Sequence, residues 1–288
     1  MDNQKPIIEI KDLSYTYAAT EQYALRSINL SILEGEYVAL LGLNGSGKTT
    51  LQLCLNGVIP NMVMGEMEGE VIIDGVDTFE YPVREMAKTV GMVFDNPDYQ
   101  ISQLSVAEEI ALGLENIGTS YEEMRKIIAE VLEYVGLPGY EERSPYALSG
   151  GQQQRMMIAA SLAMHPKILA MDEPTSNLDP IGKEEVFAVA AKLNKERKMT
   201  VIVAEHEVDV MAEYADRIVV LDKGEMILNG TPEFVFSQVD VLQKIGLRVP
   251  QVTELAYRLH QNHSIQTDGN LPVTVDGAEA MFKSLIGK

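Results

Sequence analysis

The sequence predicts an α/β fold with a mostly parallel core sheet, an N-terminal antiparallel β layer, an inserted helical subdomain and a small helical C-terminal extension. Three observations carry that expectation. Short, largely apolar β-rich runs such as Tyr37 to Leu41, Ile168 to Met171 and Thr200 to Ala204 have the length and continuity of strands covered on both faces. Helix-length segments separate them, which implies parallel pairing through crossovers. The first of these runs is followed at once by the glycine-rich stretch Gly42-Leu43-Asn44-Gly45-Ser46-Gly47-Lys48-Thr49, which opens a helix.

Along the chain, Ile7 to Ile10 and Ile28 to Ile32 read as an antiparallel layer that leads, through the turn Glu34-Gly35-Glu36, into the core strand at Tyr37. Thr49 to Leu55 reads as the first turns of a helix, Gly69 to Gly75 as a strand entering a tight turn, and Val90 to Phe94 as a second core strand. Between them lie Met62, Met64 and Met67, which are expected to fill a packing gap. From about 100 to 155 the pattern turns helical and reads as an insertion into the core. Met124, Ile127, Ile128, Val131, Leu132 and Val135 share one helix face, with Ser120 and Glu123 as a capping box and Gly136 as the stop. A further helix follows Ser149 and ends at His165-Pro166. Strands return at Ile168 to Met171, Thr200 to Ala204 and Arg217 to Leu221. After Gly230-Thr231-Pro232 a helical tail begins, so residues 1–235 are expected to form the main domain and 236–288 the extension.

With 23 basic against 43 acidic residues the formal charge is −20, which argues against a nucleic-acid partner or an anionic bilayer surface. No apolar run approaches the roughly 18 to 20 residues of a membrane span, and Met1 to Pro6 lacks a signal-peptide core, so a cytosolic location is expected. The single cysteine, Cys54, excludes an internal disulfide and reads as a small buried thiol.

The chemistry concentrates in three places. In the stretch Gly42 to Thr49, glycines let backbone N–H groups wrap phosphate oxygens at a helix start, where the dipole adds positive charge. Lys48 would reach the β- and γ-phosphates and the Thr49 hydroxyl would ligand Mg²⁺, so Asn44, Gly45, Ser46, Gly47, Lys48, Thr49 and Thr50 are candidate nucleotide-binding residues. Asp172 and Glu173 stand at the C-terminal end of an apolar strand, where ligands collect in parallel sheets. Asp172 suits a direct or second-sphere hold on the Mg²⁺, and Glu173 suits orienting and deprotonating a water that attacks the γ-phosphate. Finally, Ser149, Gly150, Gly151 and Gln152 precede a helix and offer a second anion-binding helix start, although serine there is also an ordinary N-cap.

With these motifs in this order, residues 7–235 resemble an ATP-binding-cassette (ABC) ATPase subunit, a P-loop NTPase: Gly42 to Thr49 as Walker A, Leu148 to Gln152 as the LSGGQ signature, Ile168 to Glu173 as Walker B. The resemblance implies further roles. Ser176 to Asp179 matches the D-loop, His206 the switch histidine that contacts the γ-phosphate, and Tyr17 the aromatic that stacks on adenine, with Tyr15 as its competitor. It also implies a head-to-tail dimer in which ATP on one phosphate loop is completed by the other subunit's Ser149 region, with Asp179 communicating across the interface. One position departs from the pattern. Asp95 stands where the family has the Q-loop glutamine, so either Asp95 ligands the metal directly or Gln100 approaches the site instead.

Val90 to Gln100, Gly230 to Phe236 and the tail around Gly246 to Pro250 and Thr253 to Ala256 are similar to the energy-coupling-factor ATPases. That resemblance implies an importer of a vitamin, cobalt or nickel, peripheral on the cytoplasmic face of the membrane. Its partners would be a second ATPase subunit, identical or a paralogue, a transmembrane coupling protein docked beside Asp95 to Gln103, and a substrate-binding membrane protein. A conventional importer of another small solute is the alternative within transport, and a soluble ribosome- or DNA-associated cassette protein is a remote one. His260 and His263 are expected to be a solvated helix end rather than a metal site.

Overall fold

The computed structural model describes residues 5–262, 265 and 271–286. Strands β1 (Pro6–Tyr17), β2 (Tyr23–Leu33) and β3 (Tyr37–Leu41) precede helices α1 (Lys48–Leu55) and α2 (Val58–Asn61). Then come β4 (Gly65–Ile73), β5 (Val76–Asp77), α3 (Val83–Met86) and β6 (Val90–Val93). Three helices follow, α4 (Val106–Asn116), α5 (Tyr121–Tyr134) and α6 (Gly150–Leu162). Next are β7 (Ile168–Asp172), α7 (Pro180–Arg197), β8 (Thr200–Ala204), α8 (Val208–Tyr214), β9 (Arg217–Asp222) and β10 (Glu225–Gly230). The tail holds α9 (Pro232–Ser237), α10 (Val239–Lys244), α11 (Gln251–Gln261) and α12 (Val275–Ile286).

The predicted α/β architecture is present. One sheet is antiparallel, in the order β2-β1-β4-β5; the other runs β10-β9-β3-β8-β7-β6. In the second sheet β9, β3, β8, β7 and β6 are parallel, and β10 is an antiparallel edge strand on β9. Every residue of β3, β7 and β8 is buried. The two faces of this sheet feed two cores, as the period of two along a strand requires. Tyr37, Ala39, Leu41, Leu169, Met171, Val201 and Val203 pack with the helices of the insertion and with α7. Val38, Leu40, Ile168, Ala170, Ile202 and Ala204 pack with α1 and the antiparallel layer. Val235, Phe236, Val239, Leu242, Leu247 and Val249 of the tail join the first of these cores.

α4 and α5 occupy the expected insertion, and α6 starts inside it and runs on to Leu162, where it lies against β6. Reciprocal capping boxes form at Ser105 with Glu108 and at Ser149 with Gln152. At Ser120 the bond from Glu123 N to Ser120 Oγ, 3.4 Å, is the part of the expected box that forms.

Two expectations need correction. The Met62 to Met67 stretch packs against the core only in part: Met67 does, but Met62 and Met64 are 71% and 83% exposed. The chain leaves α2 for β4 here, and the alternation of β4 turns Met67 toward the core while Met64, just before the strand, faces out. The sequence also signals no strand at Glu225 to Gly230, yet β10 pairs there. As an edge strand it is only partly buried, and its short apolar run Met226-Ile227-Leu228 lacks the alternation or length that marks a strand locally.

Candidate active site

Three neighbouring strands of the parallel sheet, β3, β8 and β7, deliver the chemistry at their C-terminal ends. β3 runs into the phosphate loop and α1; β7 ends in Asp172 and Glu173; β8, between them, leads to Glu205 and His206. Residues 33 apart in sequence therefore meet: His206 Nε2 lies 2.9 Å from Glu173 Oε1. The same carboxylate oxygen is 3.4 Å from Lys48 Nζ. Glu173 takes φ +46°, a left-handed conformation that is uncommon outside glycine, and donates its N–H to Ala204 O at 2.9 Å. That turn ends the strand's alternation and brings the second of two adjacent acids toward the loop.

Lys48 is 4% exposed and its ammonium donates to Gly42 O at 2.9 Å and to Leu43 O at 3.3 Å. Gly47 requires its glycine: φ is +108°, and a Cβ there would stand 2.7 Å from Ala24 O. Tyr17, Ala24, Asn44, Gly45, Gly47, Lys48, Thr49, Thr50 and Glu173 line one cavity of about 340 Å³. Tyr17 is fixed in it by a 2.9 Å hydrogen bond between its hydroxyl and Thr50 Oγ1. Tyr15 is fully buried with its ring edge-on to Tyr17, which removes it as the competitor for a base. Ser46 belongs to the loop but not to the cavity lining: its side chain is buried and its N–H donates to Leu43 O.

Asp172 is buried beside this cavity. Burial pushes its carboxyl above the ordinary aspartate range, and the charge of Glu173 adds to that, while a hydrogen bond with Thr49 and the Lys48 ammonium oppose it. Its Oδ1 is buried without a partner. Asp95 is exposed and lies outside the lining; its charge acts on Asp172 as the smallest of these influences. Gln100 does not approach the site. Its Oε1 accepts from Phe94 N at 2.9 Å and its Nε2 donates to Met92 O at 3.3 Å, so it staples the following turn back onto β6.

The remaining predicted residues gather elsewhere. Ser149, Gly150, Gly151, Gln152 and Asp179 line a separate cavity of about 440 Å³ together with Arg155, Asn177, Leu178, Ile181, Gly182 and Glu185. It shares no lining residue with the phosphate-loop cavity. Asp179 caps α7 through Gly182 N at 2.7 Å. Gly151 has a packing reason as well: a Cβ there would meet Gly182 Cα at 3.1 Å, where α6 crosses the start of α7.

Comparison with known proteins supplies the family. The ABC transporter family model matches residues 25–176, just over half of the chain. The chain belongs to the ABC transporter ATP-binding family. As an ABC ATPase it binds and hydrolyses ATP. It is 46% identical over 88% of its length, and 90% of the relative's, to an ABC transporter ATP-binding protein of Pyrococcus abyssi. Another ABC transporter ATP-binding protein, from Pyrococcus horikoshii, is 46% identical over 90% of this chain and 92% of its own. Among solved structures, CbiO1 of Clostridium perfringens, described as part of the ABC transporter complex CbiONQ, superposes with a TM-score of 0.74. It is 32% identical and the match covers 88% of this chain and 99% of that one. The MJ0796 cassette, a dimer in a post-hydrolysis state bound to ADP and Pi, gives a TM-score of 0.68 at 34% identity, covering 78% of this chain and 98% of that one.

In this ABC ATPase the family match takes in the phosphate loop, the signature and both strand-end acids but stops before Asp179 and His206 and starts after Tyr17. Those three are placed by geometry alone. Sequence reasoning missed Ala24, which lines the phosphate-loop cavity from β2, because an alanine far from the loop carries no local signal. It also missed Gln154, a buried side chain that donates to Phe94 O at 2.9 Å and so ties the signature helix to the turn before Asp95. His260 falls in the last turn of α11, His263 lies outside the described residues, and no cluster of metal-ligating side chains occurs among the described residues.

Proposed function

We propose that this ABC ATPase is the peripheral ATP-hydrolysing subunit of an energy-coupling-factor importer on the cytoplasmic face of the membrane, serving uptake of a vitamin or a transition metal such as cobalt or nickel. One observation carries the mechanism: the phosphate-loop residues and the signature residues line two cavities with nothing in common. A head-to-tail pair of cassettes would close each phosphate-loop cavity with the partner's signature cavity, so hydrolysis reports association. The dimeric state of the MJ0796 cassette bound to ADP and Pi supports that reading.

In such a site Tyr17 would carry the base, and the amides of residues 44–48 would carry the phosphates. Lys48 would turn from the Gly42 and Leu43 carbonyls to the β- and γ-phosphates. The oxygen donors present fit Mg²⁺: Asp172 Oδ1 is buried and unpartnered, the Thr49 hydroxyl is beside it, and Asp95 adds a second acid in electrostatic reach. Held by these residues, the ion would supply neutralisation of charge on the β- and γ-phosphates. Glu173 would orient the attacking water and accept its proton, with His206 holding Glu173 on one side and the γ-phosphate on the other.

Among the described residues no helix is long and apolar enough to cross a membrane, so transport needs integral membrane subunits. The groove lined by Val58, Val83, Ala87, Met92, Phe94 and Met164 suits helices of a coupling protein, and Tyr99 and Leu104, a few residues along the chain from Phe94, are each 82% exposed. CbiO1, the structural neighbour described as part of CbiONQ, supports the energy-coupling-factor assignment over a conventional importer. Glu173→Gln tests the catalytic reading: turnover should fall roughly 10²- to 10⁴-fold with ATP binding retained, and undiminished hydrolysis refutes it. Affinity purification from membranes tests the assembly, since the proposal requires a coupling protein and a small substrate-binding membrane protein to copurify.

A further inference from the structure

The residue before His206 is a glutamate that the proposed mechanism does not use. Glu205 is 3% exposed, at the end of β8 between β3 and β7, and its N–H donates to Leu40 O at 3.2 Å. Burying a carboxylate is unfavourable unless its oxygens are met by donors. Here three donors converge on it. Oε1 accepts from Thr175 Oγ1 at 2.5 Å and from Thr175 N at 3.2 Å; Oε2 accepts from His206 N at 2.9 Å.

These contacts span two loops. Thr175, itself fully buried, opens the segment that leads from Glu173 to Asp179, with Ser176 N bonded to Glu173 O and Leu178 N to Thr175 O, each at 3.1 Å. His206 opens the segment after β8. One carboxylate thus fastens the loop that carries Glu173 to the loop that carries His206, and the side chains those loops present meet at 2.9 Å. The backbone bond from Glu173 N to Ala204 O ties the strand ends together, and the Glu205 bridge adds a second tie between the two loops.

We propose that Glu205 is a positioning residue for ATP hydrolysis: through Thr175 and His206 N it holds the Glu173 and His206 side chains in register and links them to the Asp179 loop. The proposal rests on the catalytic reading of Glu173 and His206 given above. A carboxylate suits the position because every partner is a donor. An amide has one acceptor oxygen, so Glu205→Gln turns an NH₂ toward either Thr175 N–H or His206 N–H.

The test is a cycle of Glu205→Gln and His206→Ala with steady-state hydrolysis, nucleotide binding and thermal unfolding measured on each purified cassette. Glu205→Gln should lower kcat about tenfold or more with KM for ATP changed by less than about twofold, because the phosphate loop is untouched. In the His206→Ala background the same change should cost less than about twofold, since the register between the two side chains is lost with one of them. Equal losses in both backgrounds, or an unchanged kcat, overturn the proposal. If His206→Ala alone hydrolyses ATP normally, the catalytic reading of His206 fails and takes this inference with it, whereas a strong His206→Ala defect with additive Glu205→Gln losses removes Glu205 only. Should Glu205→Gln fail to fold, Thr175→Val decides in its place: it deletes one donor, leaves the carboxylate, and must lower kcat without weakening nucleotide binding, an unaltered kcat being the refuting result.

Discussion

The separation of the two cavities can be tested by complementation. Lys48→Ala disables the phosphate-loop cavity and leaves the signature cavity intact; Ser149→Arg does the reverse, because no residue lines both. Both chains should fold. Ser149 is exposed, and losing its cap on Gln152 N costs about 1 kcal/mol. Each variant alone forms pairs in which both composite sites are broken. Mixed in equal amounts and allowed to exchange, the chains form mixed pairs about half of the time, and each mixed pair joins the intact phosphate loop of the Ser149→Arg chain to the intact signature of the Lys48→Ala chain. One site of two in half of the pairs gives about a quarter of the wild-type rate for independent sites. Phosphate release at saturating ATP, measured against the mixing ratio, should rise from near zero to a maximum at equal amounts. A mixture no faster than the average of its parents would refute the head-to-tail site.

Two further outcomes follow from single residues. Gly47→Ala should lose about 1–2 kcal/mol from the left-handed backbone alone, before the contact with Ala24 O is counted. It should therefore lower Tm by roughly 2–8 °C and weaken ATP binding; wild-type values in a thermal-shift titration would show that the loop does not need its glycine. Burial pushes the Cys54 thiol from 9.0 up to about 12. At pH 8 that cuts the thiolate fraction about 10³-fold. Alkylation of the folded cassette should accordingly be slower than that of the urea-unfolded chain by at least that factor, and comparable rates would place the thiol at the surface.

Much of the site is legible locally because its parts are short stretches of chain with fixed geometry. The run from Tyr37 through Thr49 encodes a covered strand, a turn that needs glycine and a helix start, all within hydrogen-bonding distance along the backbone. The same holds for β7 ending in two acids and for Ser149 capping α6 through Gln152. Other features had no local trace. Gln100 and Asp95 are five residues apart, yet nothing in their spacing says that the glutamine turns back onto β6. Met62 and Met64 carry the composition of a core and lie in solvent, because they fall in the connection between α2 and β4, which runs over the surface.

The order of residues alone determined the strand-turn-helix proposed to hold phosphate, the acid pair, the signature cap and the alternation of strands with helices, since each is set by backbone conformation and apolar period over a few consecutive residues. Tertiary structure decided what stands next to what. It placed β8 between β3 and β7 so that His206 reaches Glu173, seated Thr175 on a buried Glu205, brought Ala24 to the loop from another sheet, and parted the signature cavity from the phosphate loop. Those neighbours are tens of residues or more apart along the chain, and only sheet order and helix packing bring them within bonding distance.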